Sequence, residues 1–307
     1  MGLPIKLKLP DGFLQEENRC GANVSEKLKR IWAVELDLLH EFLELCKQHQ
    51  IQVQVFAGTL LGAVRHKGFI PWDDDVDVCM DRDNFSKLLK IPPELIPAPY
   101  FLQTALSDRR FFCPYARFRN SQTTAVINGS GDLGYNNGIY IDVFVLDGYV
   151  SGSFLRKVQG TILELIHMIL VDFHSVIPRC RTFVSRTLRL LRPLFKVIGY
   201  VRLFRVYNWV IAWFTKGADR VSFMTHGDPQ MSQYWMYKEE LKNTILLDFE
   251  GMKVPATKFF DKVLSRTYGN YMGFPPVAER GKWHEGQIAF DPDTPYTEWL
   301  KRQSNKT

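Results

Sequence analysis

Apolar and polar positions change their rhythm several times along the first half of the chain. Between Ser25 and Gln50, Leu28, Trp32, Leu39, Phe42, Leu43 and Cys46 recur at helical spacing, and Arg30, Asp37, Glu41 and Glu44 are left for solvent. This predicts an amphipathic helix lying on a sheet. Ile51 to Ala57 (IQVQVFA) switches to strand-like alternation, and Gly58-Thr59 leads into a short helical turn, LLGAVRH. Asp75-Val76-Asp77-Val78-Cys79-Met80 alternates acid with apolar residue, so one face of this strand belongs to a core and the other carries carboxylates. Asp81 reads as the N-cap of a helix over DRDNFSKLLK, which ends the strand near Met80.

Further on, IPPELIPAP (Ile91 to Pro99) reads as a rigid loop before a strand over YFLQ, and YARFR as the strand after that. Asn128 to Gly138, rich in Gly and Asn, reads as a loop placed to close over a site. It leads into a largely apolar strand, GIYIDVFVLDG, from Gly138 to Gly148. Asp147 before Gly148 reads as a turn residue. Towards the C terminus, Gly251 suggests a turn between two short strands, and Ala256 to Tyr268 a closing helix.

The chain has 307 residues, 46% hydrophobic and 23% charged, enough apolar material to bury a core and too much for wholesale disorder. Five cysteines, at 20, 46, 79, 113 and 180, show neither zinc spacing nor a secreted disulfide pattern, which fits a reducing cytoplasm. MGLPIKLKLPDG lacks the apolar core of a cleaved signal, and Lys6 stands where myristoylation wants Ser or Thr. Export by a cleaved signal is not expected.

The charge is uneven. Twelve Lys and Arg residues between Ser151 and Arg220 face only Glu164, Asp172 and Asp219, so this segment outweighs the +6 of the whole chain and the remainder is acidic. Arg186, Arg189, Arg192, Arg202 and Arg205 alternate with Leu, Val, Phe and Trp in a helix-like pattern interrupted near Pro193. No apolar run approaches the roughly 20 residues of a membrane-spanning helix. The pattern suits an interfacial helix with Trp209, Trp213 and Phe214 at the acyl boundary, or a packed helical unit with a basic outer face. No recognition motif accompanies the charge, so nucleic acid is not an expected partner.

The chemistry concentrates between Gly58 and Val78, GTLLGAVRHKGFIPWDDDVDV. Asp75 and Asp77, two residues apart on a strand, share a face and suit a common hard divalent ion. Asp142 lies mid-strand among apolar residues, where a carboxylate needs either a metal or an ion pair with a cation such as Arg117 or Arg119. Gly58 and Thr59 mark a strand-to-helix turn whose backbone amides favour phosphate. Arg65, His66 and Lys67 follow as candidate contacts to a pyrophosphate, with a solvated basic turn as the alternative. Trp72 either packs as core or offers a face to an ammonium group. Cys79 alternates to the side of Asp75 and Asp77, either near the site or as a packed thiol. His284, in KWHEG, is a candidate substrate contact or proton relay.

GTLLGAVRHKGFIPWDDDVDV, the preceding WAVELDLLHEFLELCKQH and the later GIYIDVFVLDG together resemble the LicD family of phosphocholine transferases, related to fukutin and fukutin-related proteins. The resemblance spans Ile31 to Tyr149 and is weaker near the C terminus, around Pro275-Pro276. It implies an α+β fold, a nucleotidyltransferase-like mixed sheet flanked by helices with a helical insertion. On this basis residues 1–150 form the catalytic core, 151–225 a basic, membrane-associating insertion, and 226–307 the part that completes the core. Carried over by position, Asp75, Asp77 and Asp142 are the catalytic and Mg²⁺ (or Mn²⁺) residues. Gly58, Thr59, Arg65, His66, Lys67, Asp73, Asp74 and Arg117 are then placed at the substrate.

The implied reaction moves phosphocholine or a related phospho-alcohol from a CDP-activated donor to a hydroxyl of a cell-surface glycan or lipid-linked oligosaccharide, releasing CMP. The expected location is cytoplasmic, at the inner face of the cell membrane with peripheral lipid contact. An acid-x-acid pair also serves metal-dependent glycosyltransferases that use a nucleotide sugar, and a membrane scaffold without activity is the non-catalytic alternative.

Overall fold

The computed structural model describes residues 2–108, 111, 113–127, 134–149, 152–173, 194, 197–213, 215, 217–223, 233–280 and 288–304. Its centre is a seven-stranded mixed sheet built around one long strand, Ile139–Tyr149. The acid strand Asp77–Asp81 runs parallel to it on one side and itself pairs antiparallel with Gln54–Val55. On the other side the long strand is shared. Its first half pairs antiparallel with Ala116–Asn120, which carries Tyr100–Gln103 outside it, and its second half pairs with Arg220–Phe223, followed by Trp235–Tyr237.

The two faces of the long strand differ as its sequence alternates. Ile139, Ile141, Val143 and Val145 are buried in the main core, whereas Tyr140, Asp142 and Phe144 remain partly exposed. Helix Glu26–Gln48 packs on the long strand and on Ala116–Asn120. Its start is capped by Ser25, whose Oγ accepts from the Leu28 amide at 3.3 Å. Trp32, fully buried, stacks on Phe69 at 4.6 Å and donates its indole N–H to the Asp73 carbonyl at 2.8 Å. The helix thereby holds the start of the acid segment.

This helix is more deeply enclosed than its amphipathic pattern predicts. Asp37, expected on the solvent side, is completely buried, because the N-terminal segment lies across it. Its Oδ1 accepts from the Lys6 and Leu7 amides, both at 2.8 Å, and its Oδ2 from the Tyr100 hydroxyl at 2.8 Å. A carboxylate that satisfies three donors is tolerated where an unpaired one is not.

Other boundaries shift for identifiable reasons. The strand expected over Ile51–Ala57 is short, Gln54–Val55, because helix Ala57–Arg65 begins at once, with Gly58 and Thr59 in its first turn. Asp81 caps helix Arg82–Leu88, its carboxylate accepting from the Asn84 amide at 2.8 Å. Asp147 is no turn residue. It is buried within the long strand and paired by the Arg82 guanidinium through two hydrogen bonds. Gly251 does turn a hairpin, between Thr244–Phe249 and Met252–Thr257, where Glu250 and Gly251 both take positive φ. The closing helix starts later than Ala256, at Phe260, and runs to Tyr268, since the hairpin strand continues through Thr257.

Helices Ser153–Phe173 and Tyr200–Ala212 pack on each other around Leu163, Leu170, Leu203, Phe204 and Tyr207. No helix among the described residues is long and apolar enough to cross a membrane. Arg220–Phe223, which the sequence places in the helical insertion, is a strand of the main sheet. Cys180, Arg186, Arg189, Arg192, Pro193, Phe214, residues 128–133 of the Gly/Asn loop, and His284 lie outside the described residues.

Replacing Asp37 with Ala strands two amides and the Tyr100 hydroxyl, and is expected to cost about 3 kcal/mol of stability in urea unfolding. A loss below about 0.5 kcal/mol, the scale of ordinary surface substitutions, would show that this carboxylate does not anchor the N-terminal segment.

Candidate active site

The sheet register sets the site. In the parallel ladder Asp77 lies directly opposite Asp142, and in the neighbouring antiparallel ladder Arg117 lies opposite the same Asp142. Three adjacent strands therefore carry acid, acid and base in one row on one face. Asp142 Oδ1 accepts from Arg117 Nε at 2.7 Å, so Arg117, rather than Arg119, is its cation. Arg119 is fully buried and instead donates to Gln103 Oε1 at 2.6 Å and to the Gly138 carbonyl. Burial works against the Arg117 cation, but the Asp142 charge outweighs it and holds the guanidinium pKa well above its ordinary value.

Asp75 and Asp77 stand at the foot of this row, both partly accessible. Desolvation, followed by Asp73, Asp77, Glu35 and Asp142, pushes the Asp75 carboxyl well above the usual carboxylate range. Desolvation, then Asp142 and Asp73, does the same to Asp77, against a smaller opposing pull from Arg117. Among the described residues no three His, Cys, Asp or Glu side chains are set in a ready metal-binding arrangement. The ion pair to Arg117 engages one oxygen of Asp142, and Asp75 with Asp77 form a crowded acidic pair beside it.

The glycine-turn residues meet the acids directly. Thr59 Oγ1 accepts from the Asp77 backbone amide at 2.8 Å, fixing the first residue of the acid strand to the first turn of helix Ala57–Arg65. Gly58 approaches Asp73 so closely that a Cβ there would come within 3.0 Å of Asp73 Oδ2. Gly58, Thr59, Asp73 and Asp75 share a packed seam with Gly68, Phe69, Ile70 and Phe249. Asp74 adjoins them, its amide donating to Asp73 Oδ1 at 3.2 Å.

The basic trio does something other than face the row. Arg65 donates to the carbonyls of Tyr271 and Gly273 at 2.8 and 2.9 Å, and through Nε to His66 Nε2 at 2.9 Å. His66 lies flat against Phe274, with centroids 5.7 Å apart. Burial and the cations Arg65 and Arg19 lower its pKa to about 4, so its ring is neutral near pH 7 and offers no charge to a phosphate. Lys67 lines a separate cavity of about 570 Å³ with Arg19, Cys20, Arg65, His66 and Glu250, which contains none of the aspartates. Trp72 packs edge-on against Phe274, and the Arg280 guanidinium stands 4.5 Å above its ring. Cys79 is fully buried, and burial pushes its thiol pKa up, as befits a packed cysteine.

Several groups around the acids escape sequence reasoning. Glu35 is 1% exposed on the long N-terminal helix, its Oε2 without a hydrogen-bond partner among the described residues, and burial plus Asp74, Asp73 and Asp77 raise its pKa strongly. Its only sequence signal is an acid inside the apolar run WAVELDLL. Tyr234 and Tyr268 approach from the C-terminal part, and their phenol pKa values are raised first by burial and further by Asp77 and Asp73. Nothing local in the sequence announces them, since distant segments bring them there.

Comparison with known proteins gives the same region a family. A model described as the LicD/FKTN/FKRP nucleotidyltransferase domain matches residues 50–126. The lipopolysaccharide cholinephosphotransferase LicD of Haemophilus influenzae is 25% identical over 252 residues, covering 81% of this chain and 92% of that protein. Uncharacterized proteins of Rickettsia prowazekii and Rickettsia typhi match shorter stretches, at 40% identity over 57 residues and 42% over 55, each less than a fifth of this chain. Helix Ala57–Arg65, the acid strand and the strand bearing Arg117 all fall within the matched interval, and the Haemophilus relative extends the likeness across most of the chain.

Proposed function

We propose that this protein is a metal-dependent phosphotransferase that moves phosphocholine, or a related phospho-alcohol, from a CDP-activated donor to a hydroxyl of a cell-surface glycan or its lipid-linked precursor. The register that sets Asp77 opposite Asp142, with Asp75 two residues before Asp77, is the observation that carries this reading. The cholinephosphotransferase relative supports the class of reaction, and the family description supports a nucleotidyltransferase-like core completed by residues 226–307.

The residues suit a hard divalent ion. Asp75 and Asp77 offer carboxylate oxygens whose pKa values are raised first by burial and then by neighbouring carboxylates, and a cation relieves both costs. Asp75 and Asp77 would hold Mg²⁺ or Mn²⁺, with Asp142 beside them, and the ion would neutralise charge on the donor phosphates and the departing CMP.

The chain's own groups do the rest. The first-turn amides of helix Ala57–Arg65 favour an anion, and Thr59 keeps Asp77 in register with that helix start. Arg117 donates to Asp142 Oδ1, leaving Oδ2 as the remaining acceptor for the proton of the incoming hydroxyl. That oxygen attacks the donor phosphorus, the bond from phosphorus to the CMP oxygen breaks, and the phospho-alcohol passes to the acceptor. Arg65 and His66 serve as scaffold. They tie the end of the helix to the loop at Tyr271 and Gly273.

A lipid-linked acceptor fits the exposed face of the helical pair. Arg202, Arg205, Val206, Trp209 and Trp213 form one exposed stripe, and the two tryptophans stack at 5.0 Å. Gln159 donates to the carbonyls of Val210 and Ile211, so the exposed Phe154, Leu155 and Val158 lie at the same end of the pair as the tryptophans. Aromatic and apolar residues flanked by cations suit peripheral contact with an anionic bilayer, which supports a working position at the cytoplasmic membrane face.

In incubations with a divalent ion and a glycan acceptor, a CDP-alcohol such as CDP-choline or CDP-ribitol is expected to release CMP, and a nucleotide sugar to remain intact. Release of the nucleotide from a sugar donor alone would transfer the assignment to the glycosyltransferases. Asp75→Asn and Asp77→Asn are each expected to lower transfer by on the order of 100- to 1000-fold. Because these carboxyls have raised pKa values, their stabilising contribution is complete below the ordinary carboxylate range and lost as pH rises through the raised values. Both variants should therefore melt above the wild type at pH 7 without metal, and Mg²⁺ should raise only the wild-type melting temperature. An equal Mg²⁺ response in all three proteins would contradict the metal assignment.

Trp209→Ser with Trp213→Ser should reduce co-sedimentation with anionic vesicles while leaving turnover of a water-soluble acceptor intact. Unchanged sedimentation would remove the membrane contact from this face.

A further inference from the structure

A second cavity, of about 290 Å³, opens between helix Arg82–Leu88, helix Tyr200–Ala212 and residues 104–106 and 113–115. Its walls are mainly carbon. Phe85, Ala105 and Phe204 are buried in it, and Leu89, Leu106 and Trp209 stand around it at 42%, 44% and 60% exposure. Phe204 with Asn208, and Arg205 with Trp209, form adjoining columns at i, i+4, so one face of the second helix supplies a whole wall. The lining includes two arginines, Arg82 and Arg205, and no acid.

The two arginines differ. Arg82 is paired by the buried Asp147 and reaches Asn208 Oδ1 at 3.4 Å, so its charge is matched and it braces one helix against the other. Arg205 is exposed, one turn before Trp209, in the same stripe of cations and tryptophans that suits a bilayer. The cavity therefore opens onto that stripe, with an exposed cation at its mouth. On the side of the sheet its wall is Tyr115. The Tyr115 hydroxyl accepts from Arg117 Nη2 at 3.4 Å, and the same guanidinium donates to Asp142 Oδ1 at 2.7 Å. An apolar groove at the membrane stripe is thus two hydrogen bonds away from the acid row.

Building on the phosphotransfer reading, we propose that this groove holds the alkyl tail of a lipid-linked acceptor, with Arg205 on the phosphate that joins tail to sugar and the glycan continuing past Tyr115 to Asp142. The volume suits such a chain. An apolar cavity of about 150 Å³ admits benzene, so one of about 290 Å³ has room for roughly ten to twelve carbons. A peptide helix, about 10 Å across with its side chains, does not enter it, whereas a single alkyl chain does.

The chemistry of the walls selects the same occupant. A chain lying over Leu89, Leu106 and Trp209 removes their exposed carbon from water, and it passes from bilayer to protein without crossing solvent. Arg205 complements a phosphate, and no acid in the lining opposes that anion. Holding the tail also brings the glycan to the sheet face repeatedly from one direction, which raises its effective concentration at the acids. The same glycan without a tail gains neither effect, so the groove selects between acceptors of identical sugar chemistry.

The test presents one glycan in three forms, joined through phosphate to a decyl chain, joined through phosphate to methyl, and as a neutral decyl glycoside, with CDP-choline and Mg²⁺ and below the micelle-forming concentration. Calorimetric binding of decyl phosphate gives a readout that needs no turnover. In the wild type KM should be about 100-fold lower for the decyl phosphate form than for the methyl form, a modest part of the roughly fourfold available per buried methylene. Leu89→Trp and Leu106→Trp, which fill the groove from its exposed side, should each cut that ratio to about tenfold or less and weaken decyl phosphate binding in parallel. Arg205→Gln should weaken the decyl phosphate form about tenfold more than the neutral glycoside.

A wild-type ratio near one, or a ratio that survives both Trp substitutions in folded protein, would overturn the groove while leaving phosphotransfer standing. Loss of vesicle binding in Leu106→Trp with the ratio intact would give this face to bulk lipid, and a dimer broken by Leu106→Trp, with no decyl phosphate bound, would give it to a second copy of the chain. Either result overturns the proposal. If no CDP donor is turned over although decyl phosphate binds and both Trp variants weaken it, the groove stands and the transfer reading falls.

Discussion

Two carboxylates held directly opposite each other on neighbouring parallel strands form the constraint around which this molecule is built. Strands in a sheet stand about 4.8 Å apart, so Asp77 and Asp142 repel strongly at neutral pH unless a cation intervenes. The fold supplies one cation covalently, through Arg117 on the third strand of the same row. That leaves Asp77, with Asp75 and Asp73 beside it, as a concentration of like charge. The acid segment is accordingly pinned from three directions. The Trp32 indole holds the Asp73 carbonyl, Thr59 holds the Asp77 amide, and Glu250 accepts from the Phe69 amide while pairing with Arg19. A site that opposes its own folding needs such a rigid surround, and the main core provides it.

Much of this was legible in the sequence, because the decisive signals are periodic. Alternation around Asp75–Met80 and Gly138–Gly148 pointed to the two acid-bearing strands, and a cap at Asp81 located the end of the first, but that strand begins only at Asp77 and leaves Asp75 in the segment before it rather than on a shared strand face. Their convergence was inferred from the cost of an isolated Asp142 among apolar residues, and in the fold it is the Arg117 ion pair, the alternative to a metal, that meets that cost. What could not be read depends on distant chain segments. Asp37 has the spacing of a solvent-side residue, and only the N-terminal strap at Lys6 and Leu7 makes it a buried acceptor. Tyr234 and Tyr268 reach the acids from more than 150 residues further along the chain, where no local pattern marks them.

The basic trio after the glycine turn shows how a motif can be long for structural reasons. Arg65 and His66 look like phosphate ligands because they are cationic by type and close in sequence to Gly58. In the fold, helix Ala57–Arg65 carries them to its far end, about 10 Å from Gly58 along its axis at 1.5 Å per residue. There Arg65 clamps the loop at Tyr271 and Gly273, and Arg65 together with burial keeps His66 neutral. The glycines follow the same logic. A Cβ on Gly62 would lie 2.4 Å from the Gly68 carbonyl, so the chain leaving the helix can fold back against it only if that position is bare.

This division of labour bears on substrate choice. Because Arg65 is engaged by backbone carbonyls and His66 is neutral, the acid face retains a negative potential, moderated among the described residues by the Arg117 ion pair to Asp142. Such a face rejects a dianionic phosphate by itself, so binding requires a divalent ion, a helix terminus or a cationic group within the substrate. A donor whose phosphate travels with its own ammonium meets that requirement internally.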